Sequence, residues 1–222
     1  MESLKKAIDA FVNAFKIADL RKKLLFTLGV LIIYRIGAHI TIPGVNSAVL
    51  GEYFRNSNNL FGLYDSFTGG AFAKATVFAL GIMPYISASI IIQLMGAVIP
   101  AIQMLQKEGQ EGRAKLNQYT RYFTVVLAAL QGWGVSVWLS NLKVTTAAGT
   151  GISVLLDDFA SGMGNIGFRL LATLTFTTGT IFVMYLGEQI TSRGVGNGIS
   201  LIIFAGIVGG LPRAVFAELE ML

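Results

Sequence analysis

Apolar runs of about the length of a membrane-spanning helix recur along the chain. Five are predicted as spans, at about 24–42, 75–99, 119–140, 168–189 and 198–216. Before them, residues 3–18 place apolar side chains at helical spacing and lysines on the opposite face. This N-terminal arm, residues 1–23, is predicted to be an amphipathic helix that either lies on a membrane surface or packs against the protein. We therefore expect an all-α integral membrane protein.

Between the first two spans, the stretch at about 44–74 is too apolar for a solvated loop and too short and broken to cross a membrane. A half-helix is predicted over about 60–68, ended by Gly69 and Gly70. Such a segment is tolerated at membrane depth only if it is buried in protein or lines a cavity. A loop helix resting on the membrane surface remains the alternative.

One face of the second span and one face of the last span carry the same pattern, in which two isoleucines are followed by small or polar residues. The stripes consist of Ile82, Ile86, Ser89, Gln93 and Gly96, and of Ile199, Ile203, Gly206 and Gly210. Small residues on one stripe are typical of tight helix packing. A water-accessible path narrowed by apolar side chains gives the same pattern, because apolar constrictions gate pores by dewetting. Both interpretations remain open from the pattern.

Composition and charge agree with a membrane protein. The chain is 54% hydrophobic and 13% charged, whereas soluble domains have about 25% charged residues. It has no cysteine and one histidine, His39, so neither a disulfide framework nor a multi-histidine metal site is expected. No set of catalytic acids and bases is present either, and we predict neither an enzyme nor a cofactor.

The basic residues are distributed unequally between the two sides of the predicted spans. Eleven lie on the side of the N-terminus and five on the other side, while Arg35 falls within a span. By the positive-inside rule the N-terminus is cytoplasmic and the end of the fifth span is external. This topology accounts for the net charge of +5, so nucleic-acid recognition is not expected. Arg35 costs about 2.5–3.5 kcal/mol at mid-membrane, and its partner is left open.

The stretch RGVGNG, residues 193–198, is similar to a phosphate-binding glycine loop. It follows a membrane helix instead of a strand, so the context that a dinucleotide fingerprint requires is missing. We predict a tight turn between the fourth and fifth spans.

Four motifs together resemble the SecY family of bacterial protein-conducting channels. They are YRIGAHITIPG (34–44), FALGIMPYISASIIIQL (78–94), KEGQEGRAKLNQYTRY (107–122) and GEQITSRGVGNGISLIIFAGIV (187–208). The resemblance implies a channel of ten spans in two inverted halves, of which residues 1–222 correspond to the first. It also implies that the chain passes unfolded secretory polypeptides across the membrane and releases hydrophobic segments sideways into lipid.

The resemblance assigns roles to particular residues. It places Ile82, Ile86, Ile199 and Ile203 in a pore ring. It assigns a plug segment at about 60–70, with Leu60, Phe61, Leu63, Tyr64, Phe67, Thr68, Gly69 and Gly70. It places Ser87, Ile91, Leu94, Gln93 and Gln131 at a lateral gate. Secondary cytoplasmic contacts are assigned to Lys107, Arg113, Lys115 and Arg193.

The same resemblance implies partners and a location. The partners are the second half of the channel, SecE, SecG, either the SecA ATPase or a ribosome, nascent secretory and membrane-protein chains, and the lipid bilayer. The location is the bacterial inner membrane. A rival interpretation is one inverted repeat of a secondary solute transporter. The stripe of the second span has isoleucines and no carboxylate, which favours a seal over a solute site.

Overall fold

A computed structural model describes residues 17–56, 60–145, 151–156, 159 and 163–220. Residues 1–16 of the predicted amphipathic arm lie outside this range. Eight helices and two strands follow one another in the described part. They are α1 (Ala18–Gly37), α2 (Ser47–Asn56), α3 (Leu60–Thr68), α4 (Met83–Val98), α5 (Pro100–Lys107), α6 (Gln110–Asn141), β1 (Lys143–Thr145), β2 (Gly151–Ser153), α7 (Met163–Arg193) and α8 (Gly198–Glu220).

Helices α6 and α7 form the longest pair of the bundle and run antiparallel. Arg121 near the start of α6 pairs with Glu188 near the end of α7, and Arg169 near the start of α7 donates to Ser140 near the end of α6. Within the described residues, these two helices are long and apolar enough to cross a membrane. The bent pair α4–α5 qualifies as a third if it is taken as one span. The predicted count of five is not confirmed by this criterion.

The first span was predicted at 24–42, but α1 covers Ala18–Gly37. The helix begins earlier than predicted, because the basic stretch that includes Arg21 is also helical. It ends where Gly37 lies against the ring of Phe78, so closely that a Cβ at position 37 would overlap the ring. The chain then turns, and Thr41 forms a bridge with Thr76.

The span predicted at about 75–99 is not helical at its beginning. Residues 72–75 and 77–82 run as turns, and α4 begins only at Met83. The reason is the backbone: Ala75 has a φ of 45° and Gly81 has a φ of 54°, both in the left-handed region that a right-handed helix excludes. Pro84 then lies in the first turn of α4, a position where proline favours a helix start.

The second span also bends at its other end. Helices α4 and α5 meet at an angle of 102°. The residue before a proline avoids the helical region, and Ile99, which precedes Pro100, has a φ of −100° and a ψ of 113°. Helix α5 therefore leaves the direction of α4 and leads into α6.

The other predicted spans are contained in longer helices. The span at 119–140 lies in α6, the span at 168–189 in α7 and the span at 198–216 in α8. The connection between α6 and α7 includes the hairpin β1–β2, which pairs Lys143 with Ser153 and Thr145 with Gly151. An all-helical expectation omits this hairpin.

Two buried clusters hold the helices together. The first lies beside the hairpin and joins the turns after α1 and α3 to α6 and α7, with Leu50, Phe72, Leu139, Val154 and Phe176 among its members. The second joins α1, α7, α8 and the start of α4. Its buried members are Val30, Tyr34, Phe78, Ile82, Val183, Met184, Leu186, Ile190 and Ile202.

The predicted turn at 193–198 is confirmed. Residues 194–197 connect α7 to α8. The Asn197 side chain caps α8, because its Oδ1 accepts hydrogen bonds from the N–H groups of Ile199 and Ser200 at 3.0 and 3.2 Å. The Val195 N–H donates to Thr27 of α1 at 3.2 Å, which fixes the turn against the beginning of the bundle.

Candidate functional site

Helix α3, the centre of the predicted plug segment, covers Leu60–Thr68, as the sequence pattern indicated. Two hydrogen bonds close its end in a Schellman motif. The N–H of Gly70 donates to the Asp65 carbonyl at 3.0 Å, and the N–H of Gly69 donates to the Ser66 carbonyl at 3.4 Å. Gly69 has a φ of 67°, which this motif requires and which glycine adopts without strain. The side chains of Leu60 and Phe61 lie outside the described residues.

The end of α3 is seated directly on α8. A Cβ built at Gly206 would lie 2.8 Å from the Phe67 carbonyl oxygen, and a Cβ built at Gly69 would lie 2.8 Å from the Gly206 carbonyl oxygen. The two backbones therefore touch without an intervening side chain. Small residues permit this kind of approach between helices.

Arg35, whose partner the sequence left open, lies at the same contact. Its Nη1 donates to the Gly69 carbonyl at 3.2 Å and its Nη2 donates to the Gly209 carbonyl at 3.1 Å. The guanidinium, which α1 supplies in its last turn, thus bridges the plug segment and α8. No local sequence signal identifies this bridge, because its members are 34 and 174 positions apart.

Other contacts hold α3 from the side of the first cluster. The Tyr64 hydroxyl donates to the Leu80 carbonyl at 3.0 Å, and its ring packs edge-on against Phe72 with centroids 4.9 Å apart. Thr68 is 2% exposed, and its Oγ1 accepts a hydrogen bond from the Phe72 N–H at 3.3 Å. These contacts fix α3 between the turns that follow it and α8.

Asp65 is the one ionisable carboxyl within α3. Its Oδ1 accepts a hydrogen bond from the Ala73 N–H at 2.8 Å. Burial raises the pKa of this carboxyl, and the hydrogen bonds from Ala73 and Phe72 oppose that rise. The fold therefore disfavours the charged form while still giving its oxygen a donor.

The remaining face of α3 is apolar and open. Leu63 is 65% exposed and Phe67 is 48% exposed, and the two residues lie one helical turn apart. The described part of the chain therefore leaves this face uncovered.

The four isoleucines assigned to the pore ring come together in the second cluster. Ile82 is 5% exposed, and Ile86, Ile199 and Ile203 are half-buried against the same buried residues. The four isoleucines therefore belong to one apolar cluster, within which Ile82 is buried.

The residues assigned to the lateral gate divide between two grooves. Ser87 and Gln131 line a largely apolar groove of about 410 Å³ between α4 and α6, which Tyr64 and Trp138 also line. Gln93 instead donates to Ser89 at 3.1 Å and lines a second groove with Arg113. Gln93 and Gln131 therefore do not share a groove.

The two other residues assigned to the gate lie on α4. Ile91 is half-buried and Leu94 is 63% exposed. Both belong to the part of α4 that follows Ser87, so the wall they would form continues along this helix.

The basic residues assigned to cytoplasmic contacts are exposed at one end of the bundle. Lys107 ends α5, Arg113 and Lys115 lie in the first turns of α6, and Arg193 ends α7. Lys115 forms an ion pair with Glu108 at 3.8 Å. Lys107, Arg113 and Arg193 add exposed positive charge at the same end.

The architecture is a bundle of helices, among them helices long and apolar enough to cross a membrane. It is similar to a solved structure, "Sec61 in the Canine ribosome-channel complex from the endoplasmic reticulum", with a TM-score of 0.57 and 21% identity over 84% of this chain and 36% of that one. At this level of identity the likeness concerns the fold.

Sequence comparison defines the family. The SecY family model matches residues 76–221. The chain is 47% identical over 216 residues to the protein translocase subunit SecY of Streptomyces scabiei, covering 96% of this chain and 48% of that protein. It is 49% identical over 215 residues to the protein of the same name from Pseudomonas aeruginosa, covering 96% and 45%. The chain belongs to the SecY family and spans about half the length of these curated relatives.

Proposed function

We propose that this chain forms the first half of the central pore subunit of the Sec translocon, which passes unfolded secretory polypeptides across the membrane. The observation that carries the proposal is the seat of α3. This apolar helix is too short to span a membrane, yet it rests on α8, the helix that supplies Ile199 and Ile203. A short helix against the isoleucine stripe has the placement expected of a plug.

The apolar cluster that contains Ile82, Ile86, Ile199 and Ile203 supplies this half's share of a seal. A ring of such side chains excludes water and ions by dewetting when the path is empty. Half a ring cannot close, so the function requires the complementary half.

Hydrophobic segments leave sideways between α4 and the opposite half, along a wall that includes Ser87, Ile91 and Leu94. The groove at Ser87 and Gln131 places two polar side chains in an apolar wall. Polar groups at such a wall lower the stability of the closed contact with an apolar partner, which favours opening when a hydrophobic segment enters.

The driving force comes from a partner, since translocation by this subunit is not an enzymatic step. A translating ribosome or the SecA ATPase is proposed as that partner, with SecE and SecG as further subunits. The solved relative lies in a ribosome–channel complex, which supports the first of these. We place the chain in the bacterial inner membrane with its N-terminus, Lys107, Arg113, Lys115 and Arg193 on the cytoplasmic side.

Site-specific photocrosslinking tests the proposal. The chain is assembled with the complementary half, and a secretory precursor is stalled in transit. A photoreactive residue at position 86 or 203 is expected to form adducts with the precursor, whereas one at position 91 forms few. No precursor adduct from either isoleucine position would reduce the stripe to helix packing and refute the channel proposal.

A further inference from the structure

The guanidinium of Arg35 has an unusual pair of acceptors. Both are backbone carbonyls, and they belong to two different elements: Gly69 of the plug segment at 3.2 Å and Gly209 of α8 at 3.1 Å. No acidic side chain neutralises Arg35 through an ion pair in the described part of the chain. The positive charge is instead held by peptide dipoles.

The surrounding glycines are what permit this approach. A Cβ built at Gly69 would lie 2.9 Å from Nη1 of Arg35, and a Cβ built at Gly209 would lie 2.7 Å from the same atom. The third glycine, Gly206, lets the Phe67 carbonyl reach α8. The plug segment and α8 thus meet through bare backbone, and α1 reaches the same place through the Arg35 side chain.

We infer that Arg35 is the positioning residue that latches the plug segment onto α8, so that the seated plug depends on α1 and α8 keeping their spacing. The inference rests on the proposed function, because only a channel gives this segment the role of a plug. A guanidinium suits the task because its planar fork directs two N–H groups at two acceptors at once. If α8 moves away from α1, one of the two hydrogen bonds must break, and the plug loses part of its hold.

Two other roles are available to an arginine in this place. A positive charge in the last turn of α1 interacts favourably with the helix dipole, and a long basic side chain extends toward a membrane interface. A lysine serves both roles about as well as an arginine. Only the latch requires the fork, so Arg35→Lys separates the latch from these alternatives.

The absence of cysteine from the chain allows a direct assay of the plug position. Thr68, 2% exposed, reports the seat of the plug when replaced by cysteine. Ser136, 0% exposed and located in α6, reports the integrity of the bundle in the same way. Maleimide labelling rates of Thr68→Cys and Ser136→Cys are measured in the chain assembled with its complementary half, in membranes and without any precursor.

With Arg35 in place, both cysteines are expected to be protected. Arg35→Met should raise the labelling rate at position 68 by about tenfold, the factor that 1.4 kcal/mol represents in an equilibrium, and leave position 136 protected. Arg35→Lys should raise it by a smaller factor than Arg35→Met, because only one of the two hydrogen bonds is lost. Arg169→Met, which removes an arginine bonded to Ser140, is the matched control and should change neither rate.

Unchanged protection at position 68 in Arg35→Met overturns the latch. If Arg35→Met exposes both positions, the bundle itself has opened, and Arg35→Lys becomes the deciding variant. A faster labelling rate at position 68 in Arg35→Lys, with position 136 protected, supports the latch. Any other result for Arg35→Lys overturns it. Rapid labelling at position 68 with Arg35 present overturns it as well, because the plug would not be seated. None of these results depends on a precursor, so the latch and the channel proposal fail independently.

Discussion

Replacing Gly206 by alanine tests the contact between the plug segment and α8 without altering any charge. The new Cβ would lie 2.8 Å from the Phe67 carbonyl oxygen, whereas an ordinary contact of a Cβ begins at about 3.4 Å. The atom in the way belongs to the backbone, so no side-chain rotation can relieve the overlap. The plug segment or α8 has to retreat by about half an ångström.

The energetic effects of Gly206→Ala act on different parts of the molecule. Overpacking of a close contact costs about 1–3 kcal/mol, and it is relieved when the plug leaves its seat. Alanine also stabilises α8 by about 0.5–1 kcal/mol relative to glycine, a gain that is the same whether the plug is seated or not. The global stability of the chain should therefore change little, while the seated plug becomes less populated by about tenfold or more.

Planar-bilayer conductance of the assembled channel without precursor is the assay, together with labelling of Thr68→Cys. Gly206→Ala should raise both the resting ion conductance and the labelling rate. Gly29→Ala in α1 is the control, because a Cβ there meets no atom within 4 Å, and it should change neither. If Gly206→Ala leaves both quantities at the level of the unchanged chain, the contact does not set the position of the plug and the reasoning is refuted.

Three further predictions follow from the structure. Ile86→Gly should raise the resting ion conductance, because it removes an apolar side chain from the isoleucine stripe of α4. The control Ile91→Gly should not raise it. Equal conductance of the two variants would contradict the assignment of Ile86 to the pore ring. Burial raises the pKa of the Asp65 carboxyl, so its favourable contribution to stability is present below the ordinary pKa and is lost as pH rises through the raised pKa. Thermal unfolding between about pH 3 and 7 should therefore show a loss that Asp65→Asn, which keeps an acceptor for Ala73, abolishes; the same pH dependence in both proteins would count against it. Among the described residues, Thr180 buries a hydroxyl without a hydrogen-bond partner, so Thr180→Val should be neutral or stabilising. Thr124→Val loses the hydrogen bond to the Thr120 carbonyl and should destabilise the protein by about 0.5–1 kcal/mol. The opposite order of stabilities in thermal unfolding in detergent would disprove this.

Much of the fold follows from local patterns. The bounds of α3 were predictable because a short, largely apolar stretch ends in Gly69–Gly70, and two glycines in the left-handed region stop a helix. The turn before α8 was predictable because Asn197 precedes an apolar run, where its side chain caps the helix. The late start of α4 was not foreseen, because Ala75 has a φ of 45° and alanine itself carries no signal for that conformation.

The candidate site divides in the same way. Equal spacing showed the isoleucine stripes of the second and last spans, the family resemblance assigned them one role, and the structure places them in one cluster. The partners of Gln93 and Gln131 were not foreseen, because helical periodicity states which face a residue occupies but not which neighbour meets that face. The two glutamines line different grooves.

The sequence by itself determined the membrane class, the helical stripes, the short helix and its end, because each depends on residues within a few turns of one another. Only the tertiary structure decided what Arg35 binds and which glycines allow it. Those contacts join positions 35, 69 and 209, and no local periodicity relates positions so far apart. They depend on how α1, α3 and α8 pack together and on the glycines that let a side chain reach the backbone of α8 and of the residue after α3.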